Sequence, residues 1–478
     1  MTYIAHSDGR FYRHAMQKAQ CDSMSAEKES RADHGVWGDE AEIVDAAIDY
    51  AWRRLTEAPD PVSGARPAAD LALAAGTAVT PWGIGAEAAI KLFDQVLLPA
   101  TRSQGASTNL AYIPAAPTRA ALAFDAVTGA ANIFAGTWEA GAGAIHAENE
   151  ALAWLTGLLG WPSTAAGCFV SGGTMGNLSA LITARAAAAA SRPRPVDGWK
   201  VVCADSAHSS IRSAARAMDV TVVTAPVDRR GHLTGDAVNA VLTSTTGVFA
   251  VVATTGTTNA GLIDDLDDIA DVCERHQVWL HIDGAYGGAG LAAPSVRHRY
   301  AGIERADSFI VDPHKWLFAP YDCCALLYRD PAPARAAHSQ TASYLDAIDR
   351  EVHNPTDLAL HLSRRARGLP FWFSLAVHGT ERYVRAVEQT LTTSRLVADA
   401  IRADDRLRLL VEPELSVLLF DRPGWGPRDY ATWSARTAES GAMLCVPTQW
   451  NGTTVLRLAF VNPDTDAGEV IETLRTLR

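Results

Sequence analysis

From about residue 150 onward the chain alternates between two kinds of stretch. Short apolar runs occupy Cys168–Ser171, Lys200–Ala204, Val220–Thr224, Val248–Thr254, Val278–Ile282, Ser308–Val311 and Cys323–Tyr328. Longer stretches of helical character lie between most of them, such as Gly176–Ala190, Ser209–Met218 and Leu266–His276. Runs without polar alternation predict strands covered on both faces, and helices between them predict a mostly parallel sheet. The expected fold class is α/β, with a seven-stranded sheet in a large domain spanning 119–382.

The rhythm differs on either side. Residues 1–118 hold helical stretches such as Asp39–Glu57 between Pro/Gly-rich connectors, with little strand signal, and are not expected to form a domain alone. Across 383–478 a helix leads to a strand at Leu415–Phe420 and a loop at Arg422–Pro427. Another helix, a strand at Thr454–Phe460 and a last helix follow, which predicts a small α+β domain.

Composition narrows the function. Of the 478 residues, 48% are hydrophobic and 20% charged, an ordinary balance for a soluble globular protein. A net charge of −12 argues against a nucleic-acid partner. The one dense basic cluster, Arg364, Arg365 and Arg367, reads as a solvated helix face or interface charge. The 7 cysteines are scattered without a Cys-x-x-Cys pair, the usage of a reducing compartment. The most apolar long window, Leu71–Ile90, is broken by Pro81, glycines and Glu87, and the first residues lack a signal-peptide core. A cytoplasmic protein without membrane or nucleic-acid partners is expected.

In open α/β sheets ligands bind beyond the carboxyl ends of the strands. There the sequence places Ser171, Gly172, Gly173 and Thr174, then His208, then Thr257, then Asp283 with Gly284, Ala285, Gly287 and Gly288, then His314 and Lys315. The first group opens a helix and suits a small phosphate; Thr174 as its N-cap is the alternative. It fits neither the dinucleotide fingerprint nor the nucleotide P-loop. Asp283 at a strand end requires a cation or several donors. The glycines after it are expected to leave room for something flat. His281 and Asp283 are expected to face opposite sides of their strand, which weighs against a metal pair, and no metal is expected. A desolvated Lys315 is expected to have a lowered pKa and to act as a nucleophile toward carbonyls. Pyridoxal 5′-phosphate would use all of these groups together: a Schiff-base lysine, a carboxylate on the ring nitrogen, an imidazole on the ring and an anion nest.

The segments "SGGTMGNLSAL", "AHSS", "ATTGTTNAG", "LHIDGAYGG" and "DPHKWL" resemble the signatures of the group II pyridoxal-phosphate-dependent amino-acid decarboxylases. "AYIPAAPTRAALA" and "TWEAGAGAIHAENEALAWL" extend the resemblance upstream, and "LSRRARGLPFW" and "TVLRLAFVNPDTD" extend it downstream. It implies a fold-type-I architecture and a homodimer whose N-terminal segment wraps the partner. It implies Lys315 as the Schiff-base lysine, Asp283 as the pyridinium partner, His208 stacked on the ring and Ala285 on its other face. Ser171, Gly172, Gly173 and Thr174 then bind the phosphate, with Thr257 and His314 close by. Tyr112, Ile113 and Trp138 match the substrate pocket; with Phe134 they favour an aromatic L-amino acid, although such residues also serve as core. The implied reaction is decarboxylation to an amine and CO2 through an external aldimine and a quinonoid.

The sequence departs from the family in one place. Relatives usually carry a tyrosine in the loop before "LSRRARG" that is thought to protonate Cα; here Pro355 stands at that position, and Tyr344 lies too far upstream. His353 is the candidate proton donor in its stead. Without that tyrosine, decarboxylation coupled to oxidative deamination, giving an aldehyde, is the second reading. Another lyase reaction on the same fold and a cofactor-binding regulatory module without catalysis are further alternatives.

Overall fold

A computed structural model describes residues 41–340 and 352–477. The chain divides into two compact units, one from the described part of Met1–Glu57 with Arg66–Ala100, the other from Ala58–Ala65 with Thr101–Arg478. In the first unit the helices Ala41–Thr56, Ala68–Ala75 and Ala86–Leu92 bury no residue fully. Ile43, Val44, Ile48 and Trp52 of the first helix are exposed.

The second unit is built on a seven-stranded sheet of β1 (Ala166–Val170), β2 (Lys200–Ala204), β3 (Thr221–Ala225), β4 (Val248–Thr254), β5 (Trp279–Asp283), β6 (Ser308–Val311) and β7 (Cys324–Tyr328). Its order is β1-β7-β6-β5-β4-β2-β3. Strands β3, β2, β4, β5 and β6 pair in parallel, and β7 runs antiparallel to both of its neighbours. The expected strands all form, with ends within a residue or two. Helices cover both faces, so every residue of β4, "VFAVVAT", is buried. That is why these strands read as unbroken apolar runs.

A second sheet has four strands, β8 (Arg408–Leu409), β9 (Val417–Asp421), β10 (Thr448–Trp450) and β11 (Thr453–Ala459), in the order β10-β11-β9-β8. Its pairings are antiparallel. Phe420, Trp433, Leu456, Leu458 and Phe460 form its core with Val397 and Ile401 of the Thr380–Ala403 helix. The arginine cluster is not a solvated helix face. Arg364 is buried in a two-pronged ion pair with Glu148, Arg365 pairs with Asp125 and Arg367 with Asp322. Among the described residues the six cysteines are free and buried. No helix there is long and apolar enough to cross a membrane.

Candidate active site

The loops that leave β4, β5 and β6, together with His208 beyond β2, surround a cavity of about 460 Å³. Lys315, Asp283, His208, Ala285 and Tyr286 line it from the large sheet, and Tyr112 and Ile113 from a preceding segment. Thr448 and Arg457 line it from the small sheet, and Val446 and Pro447 from the loop that precedes β10.

Lys315 sits on a single helical turn, Pro313–Trp316, whose proline supplies a preset φ at the first helical position. Its Nζ lies 2.8 Å from Asp312 Oδ2. Asp312 is buried, and its Oδ1 has no hydrogen-bond partner. Burial pushes the amine pKa down, but Asp312 and, behind it, Asp283 outweigh burial, and the net direction is up. The expectation of a lowered pKa is therefore corrected: a carboxylate placed three residues earlier keeps this lysine an ammonium.

Asp283 is buried and accepts from Asn177 Nδ2 at 2.9 Å and from the Ala285 N–H at 3.1 Å. These neutral donors leave the carboxylate free to pair with a cation from the cavity. His208 caps the Ser209–Ala217 helix; its Nδ1 accepts the Ser210 N–H at 3.2 Å, and the residue lines the cavity. His281 and Asp283 face the same side of β5, as residues two apart on a strand do, and both bond to Asn177. Among the described residues no group of three or more His, Cys, Asp or Glu side chains could hold a metal ion.

Ser171 and Gly172 lead into the helix Gly173–Ser191. Gly172, not Thr174, is its N-cap, and no side chain caps it. The Met175 and Gly176 N–H groups bond Gly172 O, so the two N–H groups before them, of Gly173 and Thr174, point outward from the helix start. A Cβ on Gly173 would sit 3.1 Å from Asp312 Oδ2 and 3.3 Å from Ala285 Cβ, so this turn borders the cavity rather than lining it. Thr257 is buried beneath the wall, its Oγ1 accepting the Leu262 N–H, while Thr258 and Asn259 reach the cavity. His314 is buried, with Nδ1 2.7 Å from Cys323 O.

Other expected residues lie apart. Trp138 starts the Trp138–Leu159 helix and packs with Ala135, Ile145 and Leu369, and neither it nor Phe134 lines the cavity. His353 is half-buried beside the Gly167 backbone, where burial pushes its pKa down to about 4, and it does not line the cavity. Pro355 is buried in a short 3-10 turn. Tyr344 lies outside the described residues. The glycines after Asp283 serve the chain's own packing: a Cβ on Gly284 or Gly288 would meet the Phe309 ring at 2.5 and 2.6 Å.

Three groups at the site escaped sequence reasoning. Asp312 and Asn177 stand inside motifs that were read for their neighbours. Arg457 is a charge in the middle of the apolar strand "TTVLRLA", which is itself an unread signal. It is buried, donates from Nη1 to Tyr112 O at 2.6 Å, and leaves Nε and Nη2 without partners. Burial lowers its pKa to about 10.

The model of the pyridoxal-dependent decarboxylase conserved domain matches residues 90–422. The chain belongs to this decarboxylase family. It is 32% identical over 396 residues to the L-2,4-diaminobutyrate decarboxylase of Rhizobium meliloti (strain 1021), covering 80% of this chain and 79% of that protein. It is 28% identical over 389 residues to the aromatic-L-amino-acid decarboxylase of Bacillus atrophaeus, covering 77% and 80%. The fold matches Oryza sativa TDC, crystallised with PLP and tryptamine, at a TM-score of 0.83 and 23% identity, over 94% of this chain and 98% of that one. It matches mouse CSAD in its apo form at 0.81 and 25% identity, over 91% and 96%.

The protein is thus a fold-type-I, pyridoxal-phosphate-dependent amino-acid decarboxylase. The residues present in this decarboxylase fit the cofactor. An amine and a carboxylate supplied only with neutral donors share one cavity, and a helix start without a side-chain cap borders it.

Proposed function

We propose that this decarboxylase converts an L-amino acid, with aromatic side chains preferred, to the corresponding amine and CO2. The observation that carries the reading is that Lys315, Asp283 and His208 open into one cavity of about 460 Å³. When bound, pyridoxal phosphate supplies a carbonyl to an amine and an electron sink for the charge that CO2 leaves behind. Lys315 is the residue that holds it. Its nitrogen must first lose a proton, and Asp312 Oδ2 at 2.8 Å is the nearest acceptor. Asp283 keeps the ring nitrogen protonated, His208 and Ala285 flank the ring, and Ser171, Gly172, Gly173 and Thr174 receive the phosphate, with Thr257 and His314 behind them. Tyr112 and Ile113 contact the substrate side chain.

A second reading, an acidic side chain, is supported by Arg457, whose two unpartnered N–H donors suit a carboxylate. One relative, the acidic amino acid decarboxylase GADL1 of Xenopus tropicalis, is 33% identical over 313 residues. We further infer a homodimer in which segment 1–118 lies against a second copy, beside a cofactor-binding part at 119–382 and a C-terminal part at 383–478. The exposed Ile43, Val44, Ile48 and Trp52 support this, and sedimentation of the full chain as a monomer would overturn it.

Protein purified with pyridoxal phosphate should show a visible band that borohydride discharges and that Lys315→Ala lacks; a band retained in that variant overturns the assignment. A panel of L-amino acids, scored for CO2, amine, aldehyde and peroxide, then tests the reaction. Amine without oxygen uptake supports simple decarboxylation, and aldehyde with peroxide overturns it. Faster turnover of glutamate or aspartate than of any aromatic amino acid selects the second reading.

A further inference from the structure

A chain of buried side chains runs behind Asp283. Trp279 Nε1 donates to Ser308 Oγ at 2.8 Å, and Ser308 Oγ lies 2.8 Å from His281 Nδ1. His281 Nε2 lies 2.8 Å from Asn177 Oδ1. Asn177 Nδ2 then donates twice, to Asp283 Oδ2 and to Ser210 Oγ, each at 2.9 Å. Ser210 Oγ lies 2.8 Å from His208 Nδ1. Asn177, His281 and Ser308 are each at most 1% exposed.

The proton positions follow from counting donors and acceptors. The Asp283 carboxylate takes the amide nitrogen of Asn177, so Oδ1 must face His281 as an acceptor. His281 Nε2 therefore carries a hydrogen. Burial holds that ring neutral, with its pKa down near 4, so Nδ1 is bare and accepts the Ser308 hydroxyl. At the other end Ser210 Oγ accepts from Asn177 and gives its own hydrogen to His208 Nδ1. That leaves the His208 hydrogen on Nε2. One amide thus fixes the rotamer of Asp283 and the tautomer of His208, which lie 75 residues apart in sequence (283 − 208).

We propose that Asn177 is a positioning residue that sets Asp283 and His208 jointly for the cofactor, and that His281 locks the orientation of the Asn177 amide. The proposal rests on the reading of Asp283 and His208 as cofactor-facing groups. It assigns a task to a histidine two residues before Asp283 that touches neither cavity nor substrate. A neutral imidazole serves here because it donates at one nitrogen and accepts at the other, which an imidazolium cannot do.

The test measures the dissociation constant of pyridoxal phosphate by fluorescence titration, and the pH titration of the visible band, both without substrate. Asn177→Leu should weaken binding about ten- to a hundredfold, the worth of one hydrogen bond to a charged group. It should also move the pH titration of the band. Two His281 variants supply the control that a purely architectural role would not separate. The Gln Nε2 can occupy the place of the His Nε2 and donate to Asn177, whereas the shorter Asn amide reaches only the place of Nδ1, where its oxygen can accept from Ser308 but nothing donates to Asn177. His281→Gln should bind within about threefold of the wild type, and His281→Asn should bind about tenfold or more weakly. Equal binding by these two variants overturns the proposal even if Asn177→Leu fails to fold. Asp283→Ala is measured alongside. If it leaves binding intact, the reading of the site falls; if it weakens binding and Asn177→Leu does not, only the positioning role falls.

Discussion

Glu148→Gln offers a stringent test of how this fold is held together. Glu148 and Arg364 are 2% and 1% exposed at their side chains. They bond in parallel, Nη1 to Oε2 at 2.8 Å and Nη2 to Oε1 at 2.9 Å. Ala135 O accepts a further bond from Nη1 at 2.7 Å, and Glu148 Oε1 accepts the Gly368 N–H at 2.8 Å. Glutamine keeps the shape but removes the charge, and its amide points hydrogens at a guanidinium that has no acceptor to offer. Arg364 is then a buried cation facing only two neutral carbonyl oxygens, that of Ala135 and that of the new amide. Breaking a buried pair from one side costs about 3–5 kcal/mol, because the remaining charge is uncompensated. The variant should lose about that much in urea unfolding, followed by fluorescence and circular dichroism on protein without substrate. The double variant Glu148→Leu/Arg364→Met removes both charges and should recover most of the loss. A cost for Glu148→Gln below about 1 kcal/mol, the worth of an exposed pair, would refute the reasoning. So would a double variant less stable than the single one.

Other expectations follow from the same geometry. Asp312→Asn removes the larger of the two carboxylate effects that raise the Lys315 pKa and leaves burial opposed mainly by Asp283, so the amine should react at lower pH than in the wild type. Acetic anhydride labelling of the cofactor-free protein, read by mass spectrometry across pH, checks this; an unmoved profile refutes it. His232 bonds Glu414 at 2.9 Å, and its pKa is raised, first by that bond. The Glu414 pKa is lowered, burial being outweighed by His232 and the Ile263 N–H. A raised histidine stabilises fully below its unfolded value of about 6.5 and loses this as pH rises through its folded value. A lowered glutamate stabilises above its unfolded value of about 4.3 and loses this as pH falls. The stability gap between wild type and Glu414→Gln should therefore be largest between those values and shrink by about pH 9; an equal gap at both ends of the range contradicts it. On the second reading, Arg457→Lys should raise KM for an acidic substrate about tenfold, more than it lowers kcat, since lysine lacks the planar fork. An unchanged KM would show that the two free donors meet no substrate.

The large sheet was legible because most of its strands are covered on both faces and so read as apolar runs, with His281 of β5 buried among them and only the edge strand β3 partly exposed. Lys315, Asp283 and His208 were legible for a related reason: in a parallel sheet the residue after each strand must arrive at one edge. What the sequence withheld was what occupies the space. Gly284 and Gly288 looked like room for a ligand, yet Phe309 of the neighbouring strand takes it. Arg364 looked like surface because its counter-charge lies 216 residues away. His353 was placed by counting along a loop, and a loop's packing is set by tertiary contacts that counting does not contain. Asn177 belongs to the helix opened by the glycine turn, and its role exists only once that helix packs over β5. Arg457 came into view only when the small sheet supplied part of the cavity wall.

That divided wall has an evolutionary consequence. The groups assigned to the cofactor hang from the rim of one sheet, whereas Thr448 and Arg457 come from a different one and Val446 and Pro447 from the loop leading into it. Under the proposed assignment, mutation on the C-terminal side can remodel what enters the chamber while the cofactor-facing groups stay untouched. A lineage can change diet without relearning its chemistry, and grafting 446–457 between homologues is the direct way to transplant a preference.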